Sequence, residues 1–500
     1  FYPLAALPSR RSASTCGRAA RKSHSEGLPS ALLCFMRNSD TPQSSAERSG
    51  DDPFQIEFEG RAISARHGDT VASALIASGV QVLSRSLKFH RPRTVFCLSG
   101  SCGSCLMRID GRPNTRSCQV KAEPGLRCSR QNAWPSADYD LLSAADAMFP
   151  AGMDHHTMFT SPRSLNHLMQ KVVHQMGGLG RLPDEDTAAE GALAAVCKHV
   201  DILVIGAGPA GLAAATAAAR TLERRGRILL LDAQCEVGGS YLCHPELGRA
   251  QARSAEQRAE DEGVEVLVGT AAFGFYREEH HREQPIGQRG FIGAASEKAL
   301  YKLSADRYIY ATGGVPQNLL FIDNDRPGVL SGRAVGRLLA CHGIRVGERP
   351  LVVGSDPFSE VLVAALRRSG QTVMTIDGEQ VKLTRALGGT WVEGAEICDE
   401  RGVNRTVSCD LIVIATPPIA ASELLVQHGI PVELRQPGGF VTVCDQDGQT
   451  VHQKVFVCGE VAGTMTTMAA AEHGARVGLH VATELARERA RDESKSQAEG

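Results

Sequence analysis

A chain of 500 residues is too long for one compact core and long enough for two to four domains, each able to bury most of its apolar surface. With 42% hydrophobic and 22% charged residues and a formal net charge of -2, it offers no long-range field for nucleic acid or anionic lipid. No window approaches the roughly 18 uninterrupted apolar residues of a membrane span, and the 15 cysteines, mostly scattered singly, fit reduced thiols in a cytoplasmic protein better than a secreted disulfide scaffold.

Residues 1–50 are rich in Ser, Arg and Ala and show no sustained apolar period, so a disordered extension is expected. A transit peptide has a similar composition. Met36 is the expected natural start, which makes residues 1–35 an upstream extension without function. Residues 51–128 read as one domain. "FQIEFEGRAISAR" alternates as two short strands around Glu59-Gly60, and "DTVASALIASGV" places Asp69 as a cap before a helical run ending near Gly79. Four thiols follow: Cys97, Cys102, Cys105 and Cys118, in the order Cys-x4-Cys-x2-Cys-x12-Cys. That is the plant-type ligand spacing of a [2Fe-2S] cluster, three thiolates from one loop and a fourth from further along. Gly100 and Gly103 lie between the loop cysteines, where a backbone wrapping a cluster needs freedom that a Cβ would obstruct. Asp110-Gly111 signals a tight hairpin that returns Cys118 to the loop. Strands, helix, loop and hairpin in this order predict a β-grasp ferredoxin-like domain. A zinc site is the alternative, but zinc draws on paired Cys-x2-Cys knuckles and only one is present. Cys128 lies beyond the pattern and is expected to be a plain thiol.

Residues 129–199 read as a connecting segment, in which His155 and His156 lack an acidic or cysteine partner at ligand spacing. From residue 200 to 330 the pattern is that of a dinucleotide-binding Rossmann domain. The strand "DILVIG" meets Gly206-x-Gly208-x-x-Gly211, then an Ala-rich helix, then a second strand closing on Asp232. Gly206 permits the tight turn, Gly208 lets the backbone approach a pyrophosphate, and Gly211 lets helix and strand pack closely. The helix N-terminus offers free N–H groups to the phosphates, and Asp232 is placed for ribose hydroxyls. Residues 331–440 repeat the unit in degenerate form: "RPLVVGSDPFSEVLVAALRRSGQTV" keeps Gly354 but has Ser355-Asp356-Pro357-Phe358-Ser359 where the other glycines would be. An acid at the pyrophosphate position disfavours NAD(P)H there. "YATGG" and "IATPP" look like the crossovers between two nucleotide domains. Residues 441–490 read as a return to the FAD domain and 491–500 as a disordered tail. Cys235 and Cys243, without a redox motif between them, are expected to be buried thiols.

The segment "CEVGGSY" after Asp232 and "KVFVCGEVAGTMTTMAAAEHGARVG" near the C-terminus resemble the FAD-binding elements of two-dinucleotide flavoproteins. The resemblance implies a cofactor set of Gly206, Gly208, Pro209, Ala210, Gly211, Asp232, Ala233, Gly238, Gly239, Gly459 and Glu460. Glu460 stands where the family usually has Asp. FAD is the implied occupant, with NAD the alternative. "GDTVASALIASGVQVLSRSLKFHRPR", "NAWPSADYD", "ADAMFPAGM" and "GGLGRLPDE" resemble the alpha subunit of heterotetrameric sarcosine oxidase. The cysteine loop with "MRIDGRPNTRSC" resembles the small iron–sulfur subunit of hydrogen cyanide synthase, and the Rossmann half its FAD subunit and that of opine oxidase. The sarcosine oxidase chain continues into a folate-binding-type half, and the cyanide synthase FAD subunit into a cysteine-rich region; neither follows here.

These resemblances imply an α/β fold, a two-dinucleotide-binding-domain flavoprotein preceded by a β-grasp [2Fe-2S] domain. They also imply a hetero-oligomer in which a separate FAD-dependent subunit oxidises an amine while this chain relays electrons. The catalytic residues of that oxidation are not among those identified in this chain. An NAD(P)H-dependent ferredoxin-type reductase and a structural subunit with a non-catalytic NAD are the rival readings.

Overall fold

The computed structural model describes residues 36–37, 53–148, 166–167, 193–277, 290–354, 356–378 and 380–499. His155, His156 and nearly all of segment 1–50 lie outside them. Within that segment Met36–Arg37 form a short strand antiparallel to Ile344–Arg345, so this dipeptide departs from the structureless leader its composition suggests.

The first domain is built on a five-stranded sheet in the order Arg61–Ala65, Phe54–Phe58, Arg127–Ser129, Leu106–Ile109, Arg112–Arg116. Its two hairpins turn at the residues that the sequence marks. Glu59 and Gly60 sit at φ 51° and 78°, Asp110 and Gly111 at 44° and 80°. Positive φ at both central positions is the turn whose twist matches that of the flanking strands. Helix Val71–Ala77 is capped by Thr70 in a reciprocal box with Ser73, not by Asp69. Asp69 instead accepts from the Arg66 amide and meets the buried ring of His342, which ties the domain to the rest of the chain.

The second sheet has seven strands. Its centre is Ala194–Ile205, paired in parallel with Ile228–Leu231 on one side and with Ala299–Tyr310 on the other. All four residues of Ile228–Leu231 are buried, as expected for a parallel strand covered on both faces. The central strand begins well before residue 200, because Ala299–Tyr310 pairs with it along its whole length. Val455–Val457 joins the same sheet beside Tyr308–Tyr310, bringing the C-terminal segment back to the glycine loop. A third, four-stranded parallel sheet runs Val329–Ser331, Leu411–Ile414, Pro350–Val353, Met374–Ile376. The "YATGG" and "IATPP" crossovers are joined where Gly314–Val315 pairs with Ile419–Ala420.

Helix Thr467–Glu499 continues through the stretch expected to be a loose tail. No Gly or Pro interrupts residues 479–499, and Arg489 with Asp201 and Glu488 with Arg307 pin its last third to the central sheet. Its earlier part lies almost in backbone contact with helix Pro209–Thr221. A Cβ at Gly474 would stand 2.0 Å from the Ala210 carbonyl oxygen, and one at Gly478 2.1 Å from that of Ala214. No helix among the described residues is long and apolar enough to cross a membrane.

Below the central sheet His428 is fully buried. It stacks on Phe275 at 3.6 Å and hydrogen-bonds the Tyr310 hydroxyl at 2.7 Å. Burial, helped by His452 and Arg277, lowers its pKa to about 3. The folded state therefore refuses a proton that the unfolded imidazole takes up below its usual 6.5. Stability should fall as pH drops from 6.5 toward 3, at no more than about 1.4 kcal/mol per unit from this residue. Urea titrations at pH 6.5 and 5.0 should show a smaller difference for His428→Phe than for the natural chain.

Candidate functional site

Cys97, Cys105 and Cys118 are buried and Cys102 is half-buried, all around one loop. The hairpin brings Cys118 beside Cys105, because both the amide and the hydroxyl of Ser117 donate to the Cys105 carbonyl, at 3.1 and 2.9 Å. The amides of Ser99 and Cys102 point at Cys97 Sγ, at 3.5 and 3.4 Å. Gly100 is at φ 77° and a Cβ there would press on Gln119 at 2.9 Å, so this glycine is required. Gly103 has no positive φ and no protein contact nearer than 3.7 Å, so no packing within the chain requires it.

The thiols shift one another's acidity in pairs. Hydrogen bonding with Cys97, then burial, raises Cys102; the Cys105 sulfur pushes Cys118 up to about 12, while Cys118 lowers Cys105. Among the described residues no three His, Cys, Asp or Glu side chains are arranged to hold a single ion. Four thiols gathered around one loop match the four-cysteine ligand set of a two-iron cluster. Binding must expel the thiol protons, so cluster assembly is favoured by higher pH. Cys128 stands apart on strand Arg127–Ser129, its Sγ toward the Glu57 carbonyl at 3.4 Å.

The same loop forms one wall of a cavity of about 300 Å³. Cys97, Ser99 and Ser101 line it together with Gly206, Gly208, Pro209, Ala210, Asp232, Ala233, Gly239, Gly459 and Glu460. Gly206 at φ 107° would drive a Cβ to 2.3 Å from the Ala311 carbonyl oxygen. Gly208 caps helix Pro209–Thr221, and a Cβ there would meet nothing nearer than 3.9 Å, leaving open space at the helix N-terminus for a pyrophosphate. Substituting Gly208 by Val should therefore still give a folded chain, melting near the cofactor-free natural protein, while the dinucleotide is lost from the purified protein; retention of the full complement would count against this site. Gly226, by contrast, lies in a surface turn after the helix, where a Cβ would stand 2.5 Å from the Leu222 Cδ1.

Asp232 is half-buried in the cavity wall, and its two oxygens already accept the amides of Ala207 (2.7 Å) and Gln234 (2.8 Å). Burial raises its pKa, and these amides and Arg337 oppose the rise. It thus holds the glycine loop as well as facing the cavity. Gly211 and Gly238 serve packing: a Cβ at Gly238 would meet Ala252 at 2.6 Å. Glu460 reaches the cavity, but both its oxygens are taken by Arg333, whose guanidinium also faces Asp356 at 3.9 Å. The acid in the degenerate second unit is thus part of a buried charge cluster. Arg333 and Arg337, four residues apart on helix Gly332–His342, are the charged cavity residues that motif reading missed. Two arginines on the buried face of the apolar run "GRAVGRLLACH" were the available signal.

Residues 51–133 match the 2Fe-2S iron-sulfur cluster binding domain family, and residues 200–396 the pyridine nucleotide-disulphide oxidoreductase family. The chain is 30% identical over 431 residues to sarcosine oxidase subunit alpha of Rhizobium meliloti, covering 80% of this chain and 41% of that one. It thus spans about two fifths of the length of that relative. Over 77 residues it is 36% identical to hydrogen cyanide synthase subunit HcnA of Pseudomonas aeruginosa, covering 15% of this chain and 73% of HcnA. The crystal structure of L-proline dehydrogenase from P. horikoshii shares the fold, with a TM-score of 0.64, 18% identity, and coverage of 88% of this chain and 75% of that one. The cofactors are a [2Fe-2S] cluster and FAD, and the chain belongs to the sarcosine oxidase alpha subunit and hydrogen cyanide synthase family, with an N-terminal [2Fe-2S] domain ahead of a dinucleotide-binding flavoprotein fold.

Proposed function

We propose that the chain is the electron-transferring FAD and [2Fe-2S] subunit of a cytoplasmic amino acid or secondary-amine dehydrogenase or oxidase. In this reading residues 51–128 hold the cluster through Cys97, Cys102, Cys105 and Cys118. Residues 200–330 and 441–490 hold the dinucleotide through the Gly206–Gly211 loop, Asp232, Ala233, Gly239 and Gly459, and residues 331–440 brace them. The observation that carries the reading is the shared cavity: a cluster ligand, Cys97, and the glycine loop face the same space. When bound, FAD and the cluster supply two-electron and one-electron carriage side by side.

The protein's part is to bind and orient. The helix at Gly208 takes the phosphates, the amides of Ser99 and Cys102 support the Cys97 sulfur, and the Arg333–Glu460 pair closes the far side. The cavity supplies no general acid or base outside these pairings with which to oxidise an amine. An FAD-dependent partner subunit is accordingly proposed to do so, with sarcosine and proline, named in the relatives, as first substrates to test. Co-expression with such a partner should give a co-purifying complex that turns over one of these amines, whereas the isolated chain should give none. Steady turnover by the chain alone would place the active site here and overturn the reading. Rapid bleaching of its flavin by NADH would instead favour a self-sufficient reductase, which Asp356 in the second unit argues against.

A further inference from the structure

Arg337 lies on helix Gly332–His342 and is 3% exposed. Taking a guanidinium out of water costs several kcal/mol unless its donors are well used, so its partners indicate its task. Nη1 donates to the Gln234 side-chain oxygen at 2.6 Å and to the Leu98 carbonyl at 3.3 Å; Nη2 donates to Glu236 at 2.9 Å. Each partner belongs to an element of the cavity. Leu98 follows the ligand Cys97 and sits at φ 52°, a left-handed conformation that costs a leucine of order 1 kcal/mol and persists only where the surroundings impose it. Gln234 is the residue whose amide holds Asp232. Glu236 is gripped from its other side by Arg249, which also reaches the carbonyls of Cys341 and Gly68.

One buried cation therefore stands where the cysteine loop, the loop after Asp232 and the helix of the third sheet's domain meet. It lines the same cavity as Cys97, Gly208 and Asp232. A surface arginine would have its field damped by water and salt; this one is enclosed, and its field reaches the cluster loop with little screening.

We propose that Arg337 is a positioning residue for electron relay: it fixes the Cys97–Leu98 segment against the dinucleotide loop and raises the reduction potential of the cluster. The inference rests on the electron-relay reading above. The step it acts on is the addition of one electron, supplied by a reduced flavin, with no bond made or broken and no proton moved at Arg337. That electron adds one negative charge to a thiolate-ligated centre, and net charge and hydrogen bonding around the sulfurs are the levers by which a protein sets such a potential. A fixed cation favours the reduced form. The carboxylate of Glu236 acts in the opposite sense, and Arg249 partly offsets it.

The test is an anaerobic redox titration of the full chain, with dye mediators, following the cluster by visible absorbance and electron paramagnetic resonance. Arg337→Gln should shift the equilibrium about tenfold toward the oxidised form, about 59 mV lower for a one-electron couple. Glu236→Gln should shift it upward, and Arg337→Lys, which keeps the charge, should retain most of the natural potential. Loss of packing alone would move Arg337→Gln and Glu236→Gln in the same direction and would not be rescued by lysine. If Arg337→Gln does not fold, the sign of the Glu236→Gln shift decides. A cluster-loaded natural chain with unmoved potentials in the variants overturns the inference alone. A natural chain that assembles no iron and sulfide overturns it together with the relay reading.

Discussion

Cys102→Ser should abolish the visible and electron paramagnetic resonance signals of the cluster, whereas Cys128→Ser should leave both at full strength. Both thiols belong to the first domain, but their surroundings differ. Cys102 shares a hydrogen bond with Cys97 inside the loop, and its own amide supports that sulfur. Removing one of four thiolates leaves an iron without a full ligand set. Cys128 faces the Glu57 carbonyl of the neighbouring strand at 3.4 Å, away from the cysteine loop. Iron and sulfide analysis of anaerobically prepared protein, two of each per chain, gives the reference. Equal loss in the two variants would mean that the ligand set is wrongly assigned.

Gly211→Val is expected to prevent folding, or to cost more than the ~3 kcal/mol at the upper end of ordinary overpacking. A Cβ at this position would stand 1.8 Å from the Gly206 carbonyl oxygen and 3.2 Å from the Ala311 Cβ. The first of these atoms is backbone and cannot swing aside. The neighbouring glycine gives the opposite result: Gly208→Val should fold and lose its ligand. Circular dichroism melts beside cofactor release by heat separate the two outcomes. A Gly211→Val protein that melts like the natural chain would show that helix and strand are less closely packed than described.

Local signals were legible in the sequence wherever short-range chemistry decides the conformation. Glu59-Gly60 and Asp110-Gly111 mark their turns because an acid followed by glycine suits the positive φ that a type I′ hairpin needs at both central residues. The glycine loop and the closing Asp232 were legible for the same reason: Gly206 and Gly211 answer to close backbone contacts and Gly208 to the open space at the helix N-terminus. What the sequence did not show is what distant parts of the chain do to one another. Thr70 displaced Asp69 as the cap because Asp69 is drawn to His342, 273 residues away. The central strand reaches back to Ala194 because a partner strand runs beside it, and the final helix is tied to the central sheet where Arg489 and Glu488 find Asp201 and Arg307. Glu460 lines the cavity, and its pairing with Arg333, an arginine 127 residues earlier, is not visible in its motif. The meeting of the cysteine loop with the dinucleotide loop is likewise a product of tertiary packing, and no spacing within either motif contains it.

That meeting is the centre of the account, and one measurement tests it most directly. The complex of this chain with the proposed amine-oxidising partner is mixed anaerobically with substrate and frozen at intervals for electron paramagnetic resonance. The account predicts that the reduced [2Fe-2S] signal grows in after the partner flavin bleaches, reaches one spin per chain, and is missing in Cys102→Ser although the flavin still bleaches. A cluster that stays oxidised while substrate is consumed at the full rate would contradict it.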